Sequence, residues 1–414
     1  MSKAISAFSD LQLSPSEVDE VLSPVMIRKQ AQAIFDLTLQ GHTAFIFHAD
    51  RLPSTVDYVL QVIEQNYPSQ EIPFHSRWGH FRAGGVDRVK AVDELLGDEE
   101  ALEKARAKLD LVITSVLLDA GAGAKWSYQD AQTGKTFARS EGLGLASLRL
   151  FLNRELSEGR KFLRVDVQGL KSLSQKTLES YFQVSPRNPL VGVEGRVQLL
   201  NNLAIAVENR QRFKDGRPGN ILDYLLAQHG SSFTAPQILR AVLDGFGSIW
   251  PGRLTVGSRN LGDVWVYEKL AGRTSHGHLV PFHKLSQWMT YSLIEPILEA
   301  GIAVRGVEQL TGLAEYRNGG LMLDSGLLSL ANPKDALKSW EPSSNLIVEW
   351  RALTVHLLDQ IGEQVQKRLG KTPEQFPLAK VLEGGTWWAG RALAKSQRAD
   401  GSPPLNILSD GTVF

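Results

Sequence analysis

The chain has 414 residues, its 45 Lys and Arg balance 45 Asp and Glu, and it has no cysteine. Zero net charge leaves no broad basic footprint for nucleic acid, and the absence of thiols excludes disulfides, thiolate metal sites and a cysteine nucleophile. No apolar run reaches the roughly 20 residues of a membrane span, and the polar stretch Met1–Pro15 lacks a secretory core, so the expected protein is cytoplasmic and binds neither membrane nor nucleic acid.

Helical periodicity dominates from the start. Ser23 and Pro24 open a helix that Gly41 stops, as a hydroxyl cap, a first-turn proline and a C-terminal glycine do. Ser54 caps a second, with Val56, Val59, Leu60 and Ile63 on one face. A long helix is predicted from Glu99 to Leu118, charged at its start and apolar at its end. Further helices are predicted over 144–155, 174–182, 194–213, 234–246, 284–300, 345–369 and 378–394. Only 44–47, 162–165 and 263–267 lean towards strand. The fold class is therefore mainly α with at most one small sheet, and no βαβ alternation supports a doubly wound fold. The chain is expected to form one helical unit, divisible into lobes of about residues 20–230 and 231–395 with a pocket between them. The Gly- and Pro-bearing tail after Ala399 is expected either to be loosely ordered or to cover another surface.

One carboxylate stands out. Asp119 closes the apolar run Leu111–Leu118 and is followed by Gly121, Gly123 and then Trp126. A charge at the end of a buried helix costs several kcal/mol unless it is matched. An acid, a small-residue gap and a flat aromatic read as the floor of a small-molecule pocket; the alternative is an acid satisfied by backbone N–H groups at a turn. Glu315, between Gly312 and Gly319-Gly320, sits where a bend lets backbone approach closely, which also favours a site. The pairs Glu194/Arg196, Glu349/Arg351 and Glu315/Arg317 are two residues apart and point to different helix sides, so each member needs its own partner. For Arg351 that partner is expected to be structural. His276, His278 and His283 lie on one loop with spacings that permit zinc without indicating it. No Walker, dinucleotide or nucleophile-elbow motif is present.

In this order the motifs resemble a known family. They are Asp119 with Gly-Ala-Lys-Trp126; Asn153-Arg-Glu-Leu-Ser-Glu-Gly159; Glu194-Gly-Arg-Val-Gln-Leu-Leu-Asn201; Val280-Pro-Phe-His-Lys-Leu-Ser-Gln287; Leu310-Thr-Gly-Leu-Ala-Glu-Tyr-Arg317; and Val348-Glu-Trp-Arg-Ala352. The chain is similar to the queuosine salvage glycosylases. By length and by His75-Ser-Arg-Trp-Gly-His80-Phe-Arg it more closely resembles the uracil-catabolism family of fungi and bacteria. The resemblance implies a helix–hairpin–helix, DNA-glycosylase-like fold and hydrolysis of an N-glycosidic bond. Where the salvage enzymes carry bulky aromatics after the acid, this chain has Gly121-Ala-Gly-Ala-Lys, and the family's Asp before Tyr-Arg is Glu315. Those departures fit a leaving group with more polar needs, such as the urea of a ring-opened pyrimidine nucleoside.

On that resemblance one of Asp119 and Glu315 stabilises the sugar cation and takes a proton from water, the other binds the ribose hydroxyls or the urea nitrogens, with either assignment open, and His283 or His80 protonates the leaving group. Trp126 stacks on it or walls off water. Arg196, Lys284 and Arg317 hold a 5′-phosphate where the substrate has one, and Glu194 and Gln287 complete the binding set. The expected substrate is a small nucleoside or nucleotide, with no metal and no cofactor required. Two alternatives stay open: a zinc amidohydrolase built on His276, His278 and His283, and a non-catalytic nucleobase-binding or scaffold protein.

Overall fold

Helix ends in the chain are set by local hydrogen bonding. The Ser23 hydroxyl accepts from the Met26 N–H at 3.2 Å and starts the helix Pro24–Leu39. Ser174 and Thr234 cap Gln175–Tyr181 and Ala235–Phe246 in the same way. The second predicted helix begins earlier than its Ser54, at Leu52, and that hydroxyl instead bonds back to the Arg51 carbonyl. The long helix Asn345–Leu369 matches its predicted span and ends on Gly370 in the left-handed region.

A computed structural model describes residues 12–119, 121–123, 125–250, 254–272 and 276–408. Ala120 and Ala124, part of the small-residue gap after Asp119, lie outside that range. The fold is mainly helical, as expected. The expectation of at most one small sheet is corrected: the described residues form six two-stranded ladders. Phe45–Phe47 pairs antiparallel with Leu328–Leu330, Ser232–Thr234 parallel with Ala303–Arg305, and Val264–Val266 antiparallel with Leu279–Pro281. Three of the six ladders join strands far apart in sequence, and strands of two or three residues leave almost no period-two signal. The segment 162–165 forms no strand; it leads into a helix capped by Asp166. Among the described residues no helix is long and apolar enough to cross a membrane.

The chain divides into two compact units, and both are discontinuous. One gathers the described residues within 1–75, 252–287 and 306–414; the other takes those within 76–251 and 288–305. In the first, the helix Asn345–Leu369 is the core, with Trp350, Leu353, Leu357 and Ile361 buried. Tyr316–Asp324 packs on Trp387–Gln397 so closely that a Cβ on Gly390 would lie 2.1 Å from the Arg317 carbonyl oxygen. The described part of the tail, to residue 408, packs on the unit: Asn406–Ile407 pairs parallel with Ser339–Trp340, and the Gly401 carbonyl accepts from Arg317 Nη1 at 2.9 Å, while 409–414 lie outside the described residues.

The second unit is built around Ala101–Leu117, whose last two turns are fully buried. Its interior charge is Asp110. Arg217 donates Nε at 3.0 Å and Nη2 at 2.8 Å to Oδ2, and the Gly219 N–H donates to Oδ1 at 2.7 Å. A side chain on Gly219 would strike the Arg106 carbonyl at 2.3 Å, so only glycine lets that backbone reach the carboxylate. Removing one partner of such a pair strands the other in low dielectric. Asp110→Ala is therefore expected to cost about 3–5 kcal/mol, read as a lower calorimetric melting temperature of this unit, whereas Asp93→Ala on the exposed side of Lys108 changes it little.

Candidate functional site

Glu315 is the N-cap of the helix Tyr316–Asp324. Its carboxylate accepts from the Arg317 N–H at 2.7 Å and the Asn318 N–H at 2.6 Å. Those bonds and the helix dipole favour the charged form, but the side chain is 7% exposed. Burial wins and pushes its pKa up to about 7, against the pull of the Lys284 ammonium, the Asn318 N–H and His75. A carboxyl poised there can give or take a proton at neutral pH. Beside it the fully buried Asn318 Oδ1 meets no donor among the described residues.

His75 and Glu383 form a buried pair, with Nδ1 and Oε2 2.7 Å apart. The Tyr67 hydroxyl donates to the other Glu383 oxygen at 3.0 Å, and burial with that carboxylate raises the phenol's pKa. Glu383 lies in a π-helical turn, Leu382–Thr386, inserted into the run predicted as one helix over 378–394. Such turns re-aim side chains and recur at functional sites. The His75 ring lies 5.9 Å from that of Trp387, one residue beyond the π turn. Neither member of the pair was among the expected site residues. The signal for Glu383 was the Gly384-Gly385 pair inside an otherwise periodic helix.

Lys284 begins the helix Lys284–Glu299, and its N–H donates to Asp263 Oδ2 at 3.0 Å. Gln287 is fully buried and clamps Thr311: its Nε2 donates to the Thr311 hydroxyl and its Oε1 accepts from the Thr311 N–H. It thus braces the loop leading to Glu315. Arg317 is buried and holds the tail through Gly401. His283, expected as a leaving-group acid, has φ +48°, is 1% exposed and donates Nε2–H to the Val21 carbonyl at 3.2 Å. Burial lowers its pKa, and the nearby Asp263 only partly offsets this. The imidazole is held neutral, which suits a brace better than an acid.

The other unit holds Asp119, His80, Trp126, Glu194 and Arg196. Asp119 follows the helix Ala101–Leu117 and its C-cap Leu118, at the buried helix end expected for it. Arg77 Nη1 donates to its Oδ1 at 2.9 Å and the Ser140 hydroxyl to its Oδ2 at 3.0 Å. Arg77 is fully buried, is steadied by the Ser115 hydroxyl at 2.7 Å, and its Nη2 has no partner among the described residues. Arg196 donates Nε to the Leu118 carbonyl at 3.0 Å and reaches the Val191 and Gly121 carbonyls, which closes the turn carrying Asp119. Burial lowers its pKa to about 10, with Asp119 opposing. Trp126, expected as a stacking platform, is 1% exposed and donates to the Phe182 carbonyl at 2.9 Å, so both its faces are packed. Glu194 is exposed in the first turn of Val193–Val207. His80 is half-buried, its ring edge-on to Trp288 at 5.7 Å.

The histidine loop does not gather a ligand set. His276 lies 3.2 Å from Glu20 and 3.8 Å from Glu17. Among the described residues no three His, Cys, Asp or Glu side chains group as metal ligands would. The structure therefore brings together Glu315, Lys284 and His75 electrostatically, with Glu383 behind the histidine. Between the ordinary pKa of 4.5 and about 7 the folded protein holds a Glu315 proton that the unfolded chain has lost, so this residue's contribution to stability falls as pH rises through that window. Glu315→Gln, which keeps an acceptor for the helix N–H groups, is expected to raise the melting temperature relative to the parent at pH 8 and to give no such gain at pH 4.5, as measured by thermal melts across pH.

Comparison with known proteins gives full-length matches. Residues 20–414 match the family model described as protein of unknown function (DUF1688). The chain is 37% identical over 413 residues to Protein urg3 of Schizosaccharomyces pombe, covering 97% of this chain and 100% of that protein. It is 35% identical over 429 residues to Uracil catabolism protein 4 of Lachancea kluyveri, covering 94% of this chain and 97% of that protein. By the family match and by these relatives, this chain is a member of the DUF1688 family of uracil-catabolism proteins.

Proposed function

We propose that the protein serves uracil catabolism as an N-glycosidic hydrolase that releases urea, or a related ring-opened fragment, from ribose. The pathway is supported by a relative named for uracil catabolism and matched along nearly its whole length. The chemistry is supported by Glu315. Breaking a C1′–N bond builds positive charge on the sugar ring and needs a base for water. A buried carboxyl with a pKa pushed up to about 7 is tuned for that task. The unfilled Asn318 acceptor beside it suits a ureido N–H or a ribose hydroxyl. The helix–hairpin–helix glycosylase relationship implied by the motif order belongs to the same reading, as does a small nucleoside or nucleotide substrate. Lys284 supplies the cation for a sugar phosphate.

The test is incubation with ribosylurea, its 5′-phosphate, uridine and queuosine 5′-phosphate, followed by assay of free sugar. Release from a ribosylurea substrate and not from uridine is expected. Glu315→Gln should lower kcat by about 10²–10⁴-fold, and the parent's kcat/KM should rise with pH through about 7 as Glu315 ionises. Unchanged turnover in a folded Glu315→Gln variant removes Glu315 from the chemistry, and Asp119→Asn, assayed in parallel, reports on the carboxylate of the other unit.

A further inference from the structure

An N-glycosidic hydrolase with a poor nitrogen leaving group needs an acid as well as a base. Burial lowers the pKa of His283, whose Nε2 is given to the Val21 carbonyl. His75 is differently placed. Its Nδ1 is fixed on Glu383 at 2.7 Å, its backbone N–H on the Ala379 carbonyl at 3.0 Å, and its ring stands against Trp387. The Tyr67 hydroxyl fixes the far oxygen of Glu383, so the carboxylate is held at both ends. The π turn that aims Glu383 leads directly into Trp387–Gln397, and Gly390 of that helix lets the Arg317 backbone, two residues after Glu315, pack against it. Glu383, His75 and Glu315 therefore belong to one packed set of elements. A carboxylate at Nδ1 fixes ring orientation and compensates the positive charge of a doubly protonated imidazole, the role of the acid in a Ser-His-Asp arrangement. It leaves Nε2 as the ring's other hydrogen-bonding atom.

We propose that His75 is the leaving-group acid and Glu383 its positioning residue, acting opposite Glu315; this rests on the hydrolase reading above. In the step, the C1′–N bond breaks and its electron pair passes to the urea nitrogen, which takes the Nε2 proton of His75. The water oxygen bonds to C1′ and its proton goes to Glu315. Ribose and urea leave, and return of the proton from Glu315 to His75 restores the starting state. No oxidant, reductant or further reactant is needed.

Leaving-group dependence tests the assignment. Ribosylurea needs protonation at nitrogen, whereas 4-nitrophenyl β-D-ribofuranoside expels a phenolate that needs none. His75→Asn is expected to lose about 10²-fold or more in kcat on ribosylurea and to keep most of its activity on the aryl riboside. Glu383→Gln should show the same pattern more weakly, and it carries the comparison should His75→Asn not fold. Glu315→Gln should slow both substrates. If the parent does not turn over the aryl riboside, ribosylureas bearing electron-poor N′-aryl groups take its place. Equal losses on both substrates, or no loss on ribosylurea, overturn the assignment while leaving the hydrolase reading intact. A parent protein that frees sugar from no substrate removes both.

Discussion

The ion pair between Asp263 and Arg351 organises the unit that carries the candidate chemistry. Arg351, in the middle of the long helix, donates to both carboxylate oxygens at 2.8 and 2.7 Å and lies over the Phe282 ring at 4.1 Å. Asp263 also accepts from the Trp265 indole and from the Lys284 N–H, while Arg351 Nε donates to the Ala314 carbonyl at 3.3 Å. One buried pair thus fixes the backbone at Lys284 and at the residue before Glu315. The guanidinium beside it holds the Asp263 carboxyl well below the usual range despite burial, so the pair stays charged and its geometry persists across ordinary pH.

That constraint separates braces from chemistry. Glu349 is buried on the same helix, but the Ala44 N–H, the Tyr267 hydroxyl and Lys269 satisfy it. Gln287 and Arg317 likewise bond to Thr311 and to the Gly401 carbonyl, and His283 gives its Nε2–H to the Val21 carbonyl. Glu315 differs because its two backbone donors do not offset its desolvation, so the proton affinity rises towards neutrality. Incomplete compensation of a buried acid is how a fold reserves a group for proton transfer.

The second unit uses buried charge mainly for architecture. Arg77 holds the Asp119 carboxylate, and Arg196 takes the Leu118 carbonyl left over at the end of the helix Ala101–Leu117. Arg196 does for that helix C-terminus what caps do elsewhere, satisfying an orphan acceptor. Asp110 and Arg217 tie that helix to the 217–220 turn. Trp126 is part of this packing.

The sequence by itself determined many of the helices, because caps and 3.6-residue periodicity act within a few residues: Ser23, Ser174 and Thr234 start theirs, and Asn345–Leu369 was legible end to end, whereas Val89–Leu96 and Ile221–His229 were not predicted. It also marked Asp119 and Glu315, since an acid in apolar or glycine-rich surroundings is conspicuous, and the structural role expected of Arg351 came from the same logic, but Asp110, Asp263 and Glu383 went unmarked because their partners lie far away in the chain. Only the tertiary structure decided the partners. Asp119 meets Arg77 and Ser140, and His75 meets Glu383 across 308 positions of chain. The three ladders that join distant strands and the discontinuous units arise in the same way. No local period encodes such pairings; they exist because buried charges and unpaired strand edges must find complements wherever packing brings them.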